Sequence, residues 1–256
     1  MTGGAGAWPT RVGSAPYGII TNWMTEPLPT LLIPGLLDSP RLYVEQLPEL
    51  WRFGPIVIAD HTRDDSVAGI ARRILATAPP RFALVGLSMG GYTAFEIMRR
   101  APDRVARLAL LDTSARPDTP EASERRRAQI ALAQSGRFAE AIDQLFPQWV
   151  HRARRTDEPL RRIVRLMAEE TGPHAFVRQQ TAIMARPDSR PDLAAIRCPT
   201  LVLVGDGDEA TPPDRAAEIA NGIAGARLVT VPECGHLSTL ERPQHVAQAL
   251  VEWLEA

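Results

Sequence analysis

Three side chains in this chain have the types and surroundings needed to move an acyl group, and the first is Ser88. It sits in Gly86-Leu87-Ser88-Met89-Gly90-Gly91. An apolar run from Phe82 to Val85 precedes it. A helical pattern follows, with Tyr92, Phe95, Ile97 and Met98 on its apolar side. Strand, tight turn and helix form the context in which G-x-S-x-G presents a nucleophile. The turn must be sharp, so the positions flanking the serine must lack side chains, and Gly86, Gly90 and Gly91 meet that need. The helix N-terminus then points its partial positive charge at an oxyanion formed beside the serine.

A serine alcohol is a poor nucleophile and needs a base. The base needs a third group to fix its tautomer and balance its charge. Of the five histidines, His236 lies in Pro232-Glu233-Cys234-Gly235-His236-Leu237-Ser238, after the last apolar strand, and is the expected base. His61, His151, His174 and His245 read as surface or core-satisfied side chains. The acid belongs after the apolar segment Thr200–Val204, where Gly205-Asp206-Gly207-Asp208-Glu209 offers three carboxylates. Asp206 and Asp208 both remain candidates on position, and both also suit turn formation and helix capping. Asp112, at the end of another strand, is a third. A tetrahedral intermediate needs two backbone donors. Met89 N–H is one, and Leu36 in Pro34-Gly35-Leu36-Leu37 is the expected second, with Leu37 next.

The elements that must position these groups alternate. Short apolar strands at Thr30–Ile33, Ile56–Ala59, Phe82–Val85 and Val105–Leu111 are separated by helices at Leu42–Trp51, Val67–Ala76 and after Ser88. That order predicts a parallel sheet with helices on both faces. From 115 to 195 no strand is expected. Helices are expected near Pro120–Gln134, Arg137–Leu145, Pro159–Glu170 and Pro173–Ala185. Alternation resumes with strand Thr200–Val204, helix Pro213–Ala220, strand Arg227–Val231 and helix Gln244–Leu254. The expected organisation is a mobile N-terminus (1–16), a core domain (17–114 and 196–256) with one short strand over Tyr17–Met24, and a helical cap (115–195). Loops at the carboxyl ends of parallel strands are where such sheets bind ligands, and every candidate above lies at such an end.

The 256 residues allow one such domain with an insertion. The net charge of −1 argues against general affinity for nucleic acid. Every basic residue among the 29 is arginine, which reads as compositional bias. The two cysteines, Cys198 and Cys234, form neither a disulfide framework nor a metal-type spacing. No run approaches a membrane span, and no signal-peptide pattern opens the chain. The expectation is a cytoplasmic protein with no metal and no cofactor. Arginines outnumber carboxylates between 115 and 195. The excess, including Arg178, Arg186 and Arg190, reads as a solvated basic face, with an anionic substrate as the alternative.

The chain resembles the α/β-hydrolase superfamily over about Thr30 to Leu254. The resemblance rests on the Gly86–Gly91 elbow, Gly205-x-x-Asp208-x-x-Thr211-Pro212, Gly235-His236 with Glu241-x-Pro243 after it, and the helical insertion after Val105–Leu111. It is similar to small capped bacterial hydrolases such as 3-oxoadipate enol-lactonases and carboxylesterases. The resemblance implies an α/β-hydrolase fold: a mostly parallel sheet of about six or more strands flanked by helices, with an all-helical cap inserted. It implies Ser88 as nucleophile, Asp208 as acid and His236 as base, acting on a small-molecule ester or lactone. A cap would roof the pocket, with Phe138, Leu145, Trp149, Met167, Phe176 and Met184 as candidate lining. The same triad also serves C–C bond hydrolases, perhydrolases and non-turnover small-molecule receptors. One departure stands out: most relatives carry His-Gly in the oxyanion loop, and here it is Pro34-Gly35.

Overall fold

Central strands of a parallel sheet are covered on both faces, so their sequences run continuously apolar instead of alternating. In the computed structural model, which describes residues 27–256, β1 (Thr30–Ile33), β3 (Phe82–Leu87) and β5 (Thr200–Gly205) are buried at every position. β4 (Val105–Leu111) is buried over its last four residues. β2 (Ile56–Ile58) and β6 (Arg227–Val231) are partly exposed, as edge strands should be. The six form one sheet, order β2-β1-β3-β4-β5-β6, with every pair parallel. All six carboxyl ends therefore lie along one rim. The chain runs from β1 outward to β2 and returns to β3 on the other side, so the crevice between β1 and β3 is a topological switch point, where open α/β sheets bind ligands. The expected N-terminal segment (1–16) and the strand over Tyr17–Met24 lie outside the described residues.

The helices are α1 (Leu47–Leu50), α2 (Val67–Thr77), α3 (Met89–Arg100), α4 (Pro120–Gln134), α5 (Phe138–Trp149), α6 (Glu158–Thr171), α7 (Pro173–Met184), α8 (Pro213–Gly222), α9 (Ser238–Glu241) and α10 (Pro243–Glu255). Ser66, Thr119 and Asp157 cap α2, α4 and α6 by accepting from Gly69, Ala122 and Leu160 N–H. Such caps each stabilise a helix by about 1 kcal/mol. α3 is buried from Met89 to Met98, so the helix behind Ser88 is a core element. Burying each large apolar side chain stabilises the fold by about 1.5–3 kcal/mol, and that burial fixes the serine's platform.

Two expectations change. Leu42–Trp51 is not one helix: a 3₁₀ turn over Pro40–Tyr43, the four residues of α1 and a second 3₁₀ turn over Trp51–Phe53 replace it. Pro48 has no N–H and its ring clashes with the carbonyl four residues back, so it is accommodated only in the first turn of α1. Conversely, α5 runs on to Trp149 with Pro147 in its last turn, where the missing N–H costs one hydrogen bond. Helices α4–α7 fill the stretch between β4 and β5, with no strand among them. No helix among the described residues is long and apolar enough to cross a membrane.

Candidate active site

β3 ends in Leu87, and Ser88 turns the chain into α3 with φ 53° and ψ −114°. That backbone is strained for any residue with a side chain, and such strain persists only where its surroundings enforce it. Here Ser88 N–H donates to Leu111 O at 2.9 Å, and Ser88 O accepts from Gly91 N–H at 2.9 Å and Thr113 Oγ1 at 2.7 Å. The neighbouring glycines are obligatory. A Cβ at Gly86 would collide with Gly90 O, and one at Gly90 with Ile33 O. Among the described residues, four non-glycine positions have left-handed φ: Leu37, Ser88, Asp112 and Glu233. They follow β1, β3, β4 and β6, so strain is collected on the rim where the sequence places its chemistry.

His236 Nε2 lies 2.8 Å from Ser88 Oγ, and its Nδ1 lies 2.8 Å from Asp208 Oδ2. Asp208 is itself held: Oδ1 accepts from Ala210 N–H (2.8 Å) and Thr211 N–H (2.9 Å), and Oδ2 from Thr211 Oγ1 (2.7 Å). Of the three candidate carboxylates, Asp208 alone meets the imidazole. Asp206 accepts from Cys234 N–H at 3.1 Å and shapes the turn. Asp112 accepts from Gly205 N–H at 3.0 Å and from the Ser238 hydroxyl, tying the end of β5 to the histidine loop. Burial alone would depress the His236 pKa. The Asp208 charge and hydrogen bond overcome it, Asp112 and Asp38 add to the field, and the result is raised to about 9. Asp112 goes up for want of water and because Asp208 repels its charge.

The histidine loop is clamped from the insertion. His236 and Leu237 N–H both donate to Trp149 O, at 3.0 and 3.1 Å. Glu241 bridges Gly235 N–H (2.9 Å) and His151 N–H (2.8 Å), so the Glu241-x-Pro243 signature joins loop to insertion. On the other flank, Leu37 N–H donates to Gln179 Oε1 of α7 at 3.1 Å. Leu37 is thereby spent as an oxyanion donor. Leu36 and Met89 N–H have no acceptor among the described residues. His61, from the loop after β2, is buried and bonds Gly35 O at 2.8 Å through Nε2. A carbonyl only accepts, so Nε2 carries the proton, and burial holds this imidazole below its ordinary pKa. His61 supplies from a neighbouring strand end a brace for the loop that carries Pro34-Gly35 in place of His-Gly.

The six candidate pocket residues are scattered in environment. Met167 and Phe176 are fully buried, and Leu145 and Trp149 are buried in the core. Phe138 is partly exposed, with its ring 5.7 Å from that of Phe176, and Met184 is partly exposed. None of them lines a cavity of about 520 Å³ that opens beside the loop after β1, between Pro34, Asp38, His61 and Thr171. The three arginines singled out are occupied. Arg178 Nε donates to Thr62 O at 2.9 Å, Arg186 to Asp118 Oδ1 at 2.8 Å, and Arg190 to Asp188 Oδ2 at 2.6 Å. Sequence reasoning passed over Asp38, Gln179 and Glu241 as site groups. Only Glu241 carried a signal, in its spacing from His236.

An open parallel sheet with serine, histidine and aspartate in hydrogen-bonded line at its carboxyl rim is the architecture of α/β hydrolases. Comparison with known proteins agrees. The model of the alpha/beta hydrolase family matches residues 6–249, and the chain belongs to that family. It is similar to a pimeloyl-[acyl-carrier protein] methyl ester esterase of Chromobacterium violaceum, with 27% identity covering 93% of this chain and 90% of the relative. Among solved structures it is similar to a thermophilic esterase of Thermogutta terrifontis (31% identity, TM-score 0.79, 89% of each chain). It is also similar to the enol-lactonase of Burkholderia xenovorans LB400 (25% identity, TM-score 0.82, 91% and 93% covered). Among the described residues, no cluster of three or more His, Cys, Asp or Glu is arranged to hold a metal ion.

Proposed function

We propose that this chain is a serine hydrolase that cleaves an ester or lactone of a small molecule, with Ser88 as nucleophile, His236 as general base and acid, and Asp208 as its orienting partner. The observation that carries the reading is the unbroken line Asp208 Oδ2–His236 Nδ1 and His236 Nε2–Ser88 Oγ, both 2.8 Å. His236 takes the Ser88 proton as Oγ attacks the carbonyl. The oxyanion is received by Met89 N–H at the start of α3, where the helix dipole adds to the field, and by Leu36 N–H in the loop after β1. His236 then gives its proton to the leaving alkoxide, and the same cycle with water frees the acid. Asp208 keeps Nδ1 protonated and balances the imidazolium. Helices α4–α7 act as a cap over this rim, joined to it through Trp149, Glu241 and Gln179. The esterase and lactonase names of the relatives support the bond type.

The test is turnover of short- to medium-chain p-nitrophenyl esters and small lactones by the wild type and Ser88→Ala. Many turnovers per protein, lost in the variant, are expected. Equal hydrolysis by Ser88→Ala would overturn the assignment.

A further inference from the structure

A third carboxyl group stands beside the nucleophile and lacks the partners that hold the other two. Asp38 follows Gly35 by three residues, and its N–H donates to Gly35 O at 3.2 Å, which folds the side chain back over that glycine. A methyl group at Gly35 would meet Asp38 Oδ2 at 2.6 Å and Ser88 Cβ at 3.2 Å. One glycine therefore separates this carboxyl from the nucleophilic serine. Asp38 is 4% exposed and lies between Ser88, reached across Gly35, and the cavity of about 520 Å³ described above, which it lines and Ser88 and His236 do not.

The groups around it are committed elsewhere. Arg41, on the same cavity, donates to Glu170 at 2.7 Å, and Arg63 pairs with Asp60 at 2.7 Å. His61 Nε2 serves Gly35 O, and the Tyr43 hydroxyl serves Ile33 O at 2.9 Å. His236 is the cation whose field reaches Asp38, and the Gly35 N–H is the one donor supporting it among the described residues. A carboxyl group offers about four lone-pair sites, so most of this one's capacity is unclaimed by the described residues. Burial pushes its pKa to about 7, so near neutrality a cation bound beside it stabilises the carboxylate and the proton leaves to water.

We propose that Asp38 is a specificity-determining residue of this site. It receives a hydroxyl or ammonium group borne by the substrate close to the scissile carbonyl, and it disfavours a carboxylate at the same place. The inference rests on the serine-hydrolase reading and narrows its substrate class. It opposes the anionic substrate that the arginine excess suggested.

The test compares kcat/KM on three methyl esters of similar size: methyl butanoate, methyl 3-aminopropanoate and monomethyl succinate. The wild type should prefer the ammonium ester to the carboxylate ester by roughly tenfold or more, the worth of a hydrogen bond to a charged group. Asp38→Asn should collapse that ratio by about the same factor, and Asp38→Ala should match it if the asparagine disturbs the loop. No preference in the wild type, or a ratio unchanged in both variants, overturns the proposal. Ser88→Ala run in parallel separates the two claims. Ester turnover lost in Ser88→Ala with an unchanged ratio in the Asp38 variants defeats only the Asp38 proposal, whereas turnover retained in Ser88→Ala defeats the hydrolase reading.

Discussion

The loop after β5 and the loop after β1 each bury an aspartate beside the same histidine, His236, and they treat it in opposite ways. Asp208 accepts from two backbone N–H groups and the Thr211 hydroxyl before it meets His236. Asp38, equally buried, has the Gly35 N–H alone and opens onto a cavity. Burial without donors raises a carboxyl's pKa, whereas donors sustain its charge in the absence of water. The first loop is built to hold an imidazole. The second keeps capacity in reserve for something that arrives.

That contrast can be broken by paired substitutions. The largest effect belongs to Asp208. Asp208→Asn should lower kcat on a neutral ester by about 10⁴, because the amide favours the wrong imidazole tautomer. Asp38→Asn should lower it by far less, and comparable losses would erase the distinction. Next comes stability. The Asp38 carboxyl is raised from 3.8 to about 7, so the folded state binds its proton more tightly than the unfolded chain. Its favourable contribution is full below the unfolded pKa and is lost as pH rises through the folded one. Asp38→Asn should therefore raise Tm most above pH 7 and least near pH 4, as a series of melts would read; a gain independent of pH contradicts the charge argument. The pH profile supplies a smaller effect. With His236 raised to about 9, ester hydrolysis should climb with pH as the imidazole loses its proton. Removing the Asp38 charge, which raises the His236 pKa, should move that limb to lower pH, and an upward move would be the wrong sign. Smallest is Gln179→Leu, which frees Leu37 N–H from α7. It should cost about 1 kcal/mol of stability and reduce kcat a fewfold with little change in KM, as melts and steady-state kinetics would show.

What was legible in the sequence follows the same division. Ser88 could be found because a strained turn demands glycines at fixed positions, and a collision with Gly90 O or Ile33 O leaves a mark at Gly86 and Gly90. The central strands β1, β3 and β5 could be found because strands covered on both faces read as near-continuous apolar runs. Asp208 could not be told from Asp206 or Asp112 by position, since all three follow strands. Which one meets His236 depends on a turn closed by Thr211, and the other two prove to hold loops together. Asp38 and Gln179 were silent because their surroundings are made by segments more than a hundred residues apart. Thr171 reaches Leu37 and Asp38 O, and Gln179 reaches Leu37 N–H, only once the insertion folds back over β1. The broken helix before β2 turns on Pro48, a local signal that the apolar spacing of Leu42–Trp51 obscured.

A Ser88 activated by His236 should react covalently with an electrophile aimed at serine nucleophiles. Intact-protein mass spectrometry after incubation with diethyl p-nitrophenyl phosphate, which releases p-nitrophenolate as it phosphorylates an activated serine, reads this out. One phosphoryl adduct per chain is expected, mapped by peptide digestion to Ser88, absent from Ser88→Ala and formed far more slowly in His236→Ala. An adduct that forms at the same rate in Ser88→Ala, or a wild-type protein that hydrolyses esters without ever being labelled, would contradict it.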